Sequence, residues 1–118
     1  MDTTQALQAL AGLAQKSRLA IFRQLVELGP AGACPGELAA AVGLAAPTLS
    51  FHLRTLLQAG LIGAQQNGRS ITYRADFEAM RGLLGYLGDN CCGGDPSRCA
   101  PVTTPERGPR TATARRVR

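Results

Sequence analysis

Residues 35–60 read PGELAAAVGLAAPTLSFHLRTLLQAG, two helical phrases separated by a glycine-containing turn. In the first phrase Pro35 suits the opening position of a helix, where the missing N–H has no partner to lose. Leu38 and Val42 stand four residues apart, and Gly43 supplies a residue that accepts the left-handed conformation at a helix end. A second start follows at Pro47, and Leu49, Leu53, Leu56 and Leu57 then fall at i, i+4, i+7 and i+8, an amphipathic stripe that closes at Gly60. Two short helices across a tight turn spell a helix-turn-helix.

Upstream, Leu7, Leu10, Ala11 and Ala14 mark one face of a first helix near residues 4–14. Ser17 is the expected N-cap of a second, with Leu19, Phe22 and Val26 as its stripe and Gly29-Pro30 as its stop. Downstream of Gly60 the apolar period drops from 3.6 to about 2. Leu61 and Ile62 open one strand, while Ile71, Tyr73 and Ala75 alternate along another. Asn67-Gly68 between them predicts a type I′ hairpin turn, with positive φ at both central residues. Asp76 is placed to cap a last helix carrying Phe77, Met80, Leu83, Leu84 and Leu87. Gly82, Gly85 and Gly88 weaken that helix by about 1 kcal/mol each relative to alanine, so it depends on packing, with the first helix as its natural partner.

The order helix, helix, helix-turn-helix, hairpin, helix predicts a mainly α fold with a β-hairpin wing (α+β), a winged helix-turn-helix. Apolar stripes on the outer helices predict a two-fold homodimer through the first and last helices, using Leu7, Leu10, Met80, Leu83, Leu84 and Leu87. Packing of those stripes within one chain is the alternative.

At 118 residues, with 45% hydrophobic and 18% charged residues, the chain suffices for one compact domain and excludes a second. Composition divides it into a body at residues 1–88, a Cys/Gly segment at 89–100 and a basic tail at 101–118 whose Pro, Thr, Ala and Arg content predicts disorder. The net charge of +5 belongs mostly to that tail: residues 103–118 hold five Arg and one Glu, whereas residues 1–102 are nearly neutral. Charge alone therefore does not decide for nucleic acid. No run reaches the roughly 18 to 20 apolar residues that a membrane span needs. The opening Met1-Asp2-Thr3-Thr4-Gln5 has no secretory pattern, so the cytoplasm is the expected compartment. There Cys34, Cys91, Cys92 and Cys99 are better thiol or metal candidates than structural disulfides.

On the helix from Pro47, a turn of about 100° per residue sends Thr48, Phe51, Arg54 and Thr55 away from the leucine stripe. Phe51 there could touch a thymine methyl, Arg54 a guanine or phosphate, and Thr48, Ser50 and Thr55 either kind of group. A slightly rotated helix would instead bury Phe51 and leave Arg54 as a solvated charge. His52 lies at the edge between the faces and is a further candidate DNA contact. The hairpin brings Asn67 and Arg69 to its tip and Arg74 to the returning strand, where a wing meets backbone or minor groove. The arginine tail could add nonspecific phosphate affinity.

The stretch Pro47-Thr48-Leu49-Ser50-Phe51-His52-Leu53-Arg54-Thr55-Leu56, with Ala59-Gly60-Leu61-Ile62 and Asn67-Gly68-Arg69, resembles the ArsR family of small winged-helix repressors. The likeness covers about residues 4–88. Asn90-Cys91-Cys92-Gly93-Gly94 with Cys99 is similar to the branch that senses trivalent arsenic through C-terminal cysteines. The resemblance implies a homodimer that binds operator DNA when ligand-free and releases it on binding the inducer, derepressing arsenic-resistance genes. It also implies what is missing. The founding arsenic site needs a Cys-x-Cys pair where only Cys34 stands, and the zinc branch needs His on the last helix, whereas the single histidine is His52.

Chemistry agrees with a soft ion. Trivalent arsenic, and antimony as its relative, prefers three thiolates, and Cys91, Cys92 and Cys99 supply that number. Gly93 and Gly94 let the chain turn back toward Cys99. Tetrahedral zinc would need a fourth ligand, and the only spare thiol is Cys34. Two alternatives stay open on the same scaffold: a thiol-disulfide switch from Cys91 or Cys92 to Cys99, and an organic arsenical held by two thiols. A Cys91-Cys92 bond would be strained, because Cα atoms about 3.8 Å apart lie short of the usual disulfide range. No Cys-x-x-Cys or phosphate-binding loop is present, so an enzyme is not expected.

Overall fold

The computed structural model describes residues 1–98, which divide into one unit at 1–87 and a second beginning at Gly88. In the first unit the elements run α1 (Thr3–Leu13), α2 (Lys16–Leu28), α3 (Pro35–Val42), α4 (Ala46–Gln58), β1 (Ile62–Asn67), β2 (Ser70–Ala75) and α5 (Phe77–Gly88). The two strands form an antiparallel hairpin, so the fold is the winged helix-turn-helix expected from the sequence.

The helix-turn-helix boundaries fall at the residues that signalled them. Pro35 opens α3, Gly43 ends it with φ 70° and ψ 38°, and Pro47 sits in the first turn of α4. The Cys34 amide donates to Glu37 Oε1 at 3.0 Å, and this bond holds the Glu37 carboxyl below its usual pKa. The Cys34–Glu37 hydrogen bond is therefore intact above the ordinary carboxylate range and is lost as pH falls through the lowered value.

The largest fully buried side chains among the described residues are Ile21, Leu25, Leu38, Leu49, Leu53, Leu56 and Leu61. α1 reaches this core with its small residues. Ala6, Ala9 and Gly12 are buried, while the larger Leu7 and Leu10 face outward. The reason is close approach: a Cβ at Gly12 would lie 2.8 Å from Ala59 Cβ and 3.0 Å from Leu61 Cδ1. Arg18 fastens the same end, its Nε donating to the Gly12 carbonyl at 2.7 Å.

Four local expectations are corrected. Gln15, not Ser17, caps α2, its Oε1 accepting the Arg18 amide at 2.9 Å, and the buried stripe of α2 is Ile21, Phe22 and Leu25 with Leu19 exposed. On α4 the buried set is Leu49, His52, Leu53 and Leu56, the helix being rotated so that His52 enters the stripe and Leu57 leaves it. The hairpin turn has Gly68 and Arg69 as its central residues, because Asn67 pairs with Ser70. Only Gly68 has positive φ there, at 65°, which matches a turn with glycine in the first central position rather than type I′. On α5, Leu83 is buried in its own chain's core, so it is not free for a dimer face, while Met80 packs half-buried against that core. Phe77, Met80 and Leu83 advance by three and turn inward, leaving Leu84 and Leu87 outside.

α5 begins as expected, with Asp76 Oδ1 accepting the Ala79 amide at 3.0 Å. Asp76→Ala should cost about 1 kcal/mol. In a domain of this size that lowers the melting temperature by about 4 to 8 °C, which a thermal melt followed by circular dichroism would read. The far end of α5 meets α1 where Tyr86 Oη and Thr3 Oγ1 lie 2.5 Å apart.

Candidate DNA interface and thiol segment

The outward face of α4 begins where Pro47 fixes the first turn and its apolar stripe is committed inward. Thr48, Ser50, Phe51 and Arg54 are exposed, Phe51 by 58%. An aromatic ring left this far in solvent on a helix with a complete apolar stripe has no core role, and the rotated-helix alternative for Phe51 falls. Thr55 is half-buried and donates its hydroxyl to the Phe51 carbonyl at 3.3 Å. Arg54 makes no hydrogen bond or ion pair among the described residues, which leaves its guanidinium available.

His52 does not share that face. It is 8% exposed, and its Nδ1 is buried without a hydrogen-bond partner among the described residues. Its ring meets Phe51 edge-on, with centroids 5.6 Å apart. The expected direct DNA contact by His52 is therefore corrected: it supports the base of Phe51 from inside.

The wing presents Asn67, Gly68 and Arg69 at an exposed tip. Arg69 also makes no hydrogen bond or ion pair among the described residues. Arg74 is different, for two of its three guanidinium nitrogens are engaged within the protein. Its Nε donates to the Pro30 carbonyl at 2.7 Å and its Nη1 to Gln65 Oε1 at 2.7 Å. Arg74 is thus tied within the protein, unlike Arg54 and Arg69. Nothing in the local sequence announces this, because the carbonyl it binds lies 44 residues away.

The second unit, taken by itself, holds two of the three expected ligands. Cys91 and Cys92 are both exposed, in a short turn at Cys91–Gly94, with a further turn at Pro96–Arg98. Asn90 and Cys92 have φ of 57° and 54°, and Gly93 and Gly94 follow with 69° and 84°. Left-handed backbone at non-glycine residues costs on the order of 1 kcal/mol each, so the turn is held open rather than helical. Cys92 Sγ donates to the Arg98 carbonyl at 3.4 Å, and Asp95 Oδ1 accepts from the Ser97 amide and hydroxyl at 3.0 and 2.7 Å, which lowers the Asp95 carboxyl pKa. Among the described residues no three His, Cys, Asp or Glu side chains converge on one point. Cys99, the third expected ligand, and the basic tail lie outside the described residues. Cys34 is elsewhere, half-buried at the start of α3.

Leu7 and Leu10 on α1, with Leu84, Tyr86 and Leu87 on α5, are large apolar side chains left in solvent, Leu7 and Leu84 by 61% and 60%. No helix among the described residues is long and apolar enough to cross a membrane.

An exposed reading helix beside a basic hairpin tip defines a DNA-binding winged helix-turn-helix protein. A helix-turn-helix domain model matches residues 13–62. The HTH-type transcriptional regulator YgaV of Escherichia coli (strain K12) is 32% identical over 88 residues, covering 75% of this chain and 87% of that protein. Among solved structures, an ArsR-like transcriptional regulator from Rhodococcus sp. RHA1 superposes with a TM-score of 0.62 at 26% identity, covering 71% of this chain and 76% of that one. A protein described as a possible transcriptional regulator for arsenical resistance superposes with a TM-score of 0.58 at 26% identity, over 68% of this chain and 79% of that one. The chain belongs to the ArsR family of winged-helix transcriptional regulators, DNA-binding proteins rather than enzymes.

Proposed function

We propose that this protein is a cytoplasmic, homodimeric repressor that binds operator DNA when ligand-free and leaves it when arsenite, or antimonite, is taken up by Cys91, Cys92 and Cys99. The observation that carries the reading is the pair of adjacent exposed thiols in the turn that begins three residues after α5 ends. The solved relative described in terms of arsenical resistance supports it.

The chemistry balances without a redox step. Arsenous acid exchanges its three hydroxyls for three thiolate sulfurs, and each thiol proton leaves with a hydroxyl as water. To act as an inducer, the ligand must bind the DNA-incompetent state more tightly than the DNA-bound one. The exposed leucines of α1 and α5 would close the two-fold interface, placing two copies of α4 in successive major grooves about 34 Å apart. There Phe51, Arg54, Thr48, Ser50 and Thr55 would meet base edges and phosphates, with Asn67 and Arg69 on the adjoining backbone.

The test is fluorescence anisotropy of the reduced full chain on a duplex taken from upstream of its own coding sequence, titrated with arsenite. Wild type should release the DNA, while Cys91→Ser, Cys92→Ser and Cys99→Ser should bind as tightly as wild type and stay bound. Release that survives Cys99→Ser would replace the three-thiolate set by a two-thiol one. DNA binding that ignores arsenite and ends on mild oxidation, with a disulfide to Cys99 found by mass spectrometry, would overturn the arsenite reading in favour of a thiol-disulfide switch.

A further inference from the structure

β2 is held on both of its edges. One edge pairs with β1, and at Tyr73 the other pairs with Ala33, whose amide donates to the Tyr73 carbonyl at 2.9 Å and whose carbonyl accepts the Tyr73 amide at 2.8 Å. The next residue is Arg74. Across the ladder it faces Gly63, which has no side chain to occupy the space beside it, and Gln65 is the diagonal neighbour on the same face of the hairpin. The Arg74 guanidinium joins three pieces of chain: its own strand, Gln65 on β1 and the Pro30 carbonyl in the α2–α3 connection. That connection runs directly into Cys34 and α3, the start of the helix-turn-helix.

We propose that Arg74 is a positioning residue for DNA binding: it locks the wing to the α2–α3 connection so that Arg69 is held at a fixed reach from the reading helix, and it does not itself contact DNA. The proposal rests on the reading of the wing tip as a DNA contact. A two-stranded hairpin is marginal on its own, and an unlocked wing would have to be ordered during binding, at an entropic cost that weakens the complex. The planar fork matters more than the charge. Two donors at fixed separation reach two acceptors, which the single ammonium of a lysine does not reproduce.

Four variants of the full chain separate strut from contact: Arg69→Ala, Arg74→Ala, Arg74→Lys and the double alanine variant. Each is measured by anisotropy on the same upstream duplex and by amide hydrogen exchange without DNA. Arg74→Ala should weaken binding about fivefold and speed exchange at the Ala33 and Tyr73 amides, while the double variant should bind no more than about twofold worse than Arg69→Ala, the non-additivity of residues that act through one another. Arg74→Lys should behave as Arg74→Ala in both measurements. Additive losses in the double variant, rescue of affinity by lysine, or unchanged exchange at Ala33 and Tyr73 would each overturn the proposal. If Arg69→Ala binds like wild type, the wing-tip reading itself fails and the positioning role goes with it, an outcome distinct from additivity.

Discussion

Gly32→Ala should lower the melting temperature of this protein by about 12 to 25 °C, corresponding to roughly 3 kcal/mol in a domain of this size. Two independent terms add at this position. Gly32 has φ 65° and ψ −160°, a region almost closed to residues with a side chain. An added Cβ would also fall 2.3 Å from the Tyr73 carbonyl oxygen, 2.8 Å from Arg74 Cγ and 3.1 Å from Thr72 Cγ2. The first of these is backbone, already engaged with the Ala33 amide, so it cannot move without breaking the bridge that holds β2. Gly43→Ala is the control, since φ there is also positive but nothing lies within 4 Å of an added Cβ. It should cost only about 1 to 2 kcal/mol, the left-handed penalty alone. Equal losses in the two variants, measured by thermal or denaturant melts, would show that the crowding at Gly32 is relieved by a small shift.

Leu84→Asp and Leu7→Asp should each leave a folded monomer that has lost specific DNA binding. Both side chains are mostly in solvent in the single chain, so a carboxylate there has little effect on the fold. At the two-fold interface the same carboxylate would be brought against its symmetry mate's apolar face and desolvated without a partner. With both reading heads no longer joined, the second half-site stops contributing at high effective concentration, and affinity for a palindromic duplex should fall by about 10²- to 10⁴-fold. Sedimentation equilibrium beside anisotropy checks both halves of the expectation. A dimer that persists in both variants would move the interface away from α1 and α5.

The sequence reading succeeded where a single residue type carries a local rule. Pro35, Gly43, Pro47, Gly29 and Asp76 each mark a boundary by a property of their own backbone or cap, and each stands at that boundary. Side-chain size is a poorer guide to direction. On α1 the large residues are outside because the helix approaches Ala59 too closely for anything bigger than glycine at position 12. On α4 His52, placed at the edge of the stripe, is buried, while Leu57, placed within it, is exposed, a rotation that an i, i+3, i+4, i+7 pattern permits equally well. Leu83 and Leu84 are adjacent and alike, yet one is core and the other surface. The candidate reading face was legible once the stripe was found, since Phe51 and Arg54 needed only to be off it. Arg74 was not, because its role is set by a tertiary partner, and periodicity carries no information about those.

The contact between Gly12 and Ala59 has a mechanical meaning. Where two helices cross with side chains between them, rotamer changes absorb small displacements. Here the Ala59 methyl lies directly against the Gly12 backbone with no longer side chain between them, so a displacement of α1 meets little soft material before it reaches the C-terminal end of α4. At this joint α1 and the C-terminal end of α4 should move together. A shift imposed on α1, whatever its source, should therefore be felt at the base of the helix that carries Phe51 and Arg54.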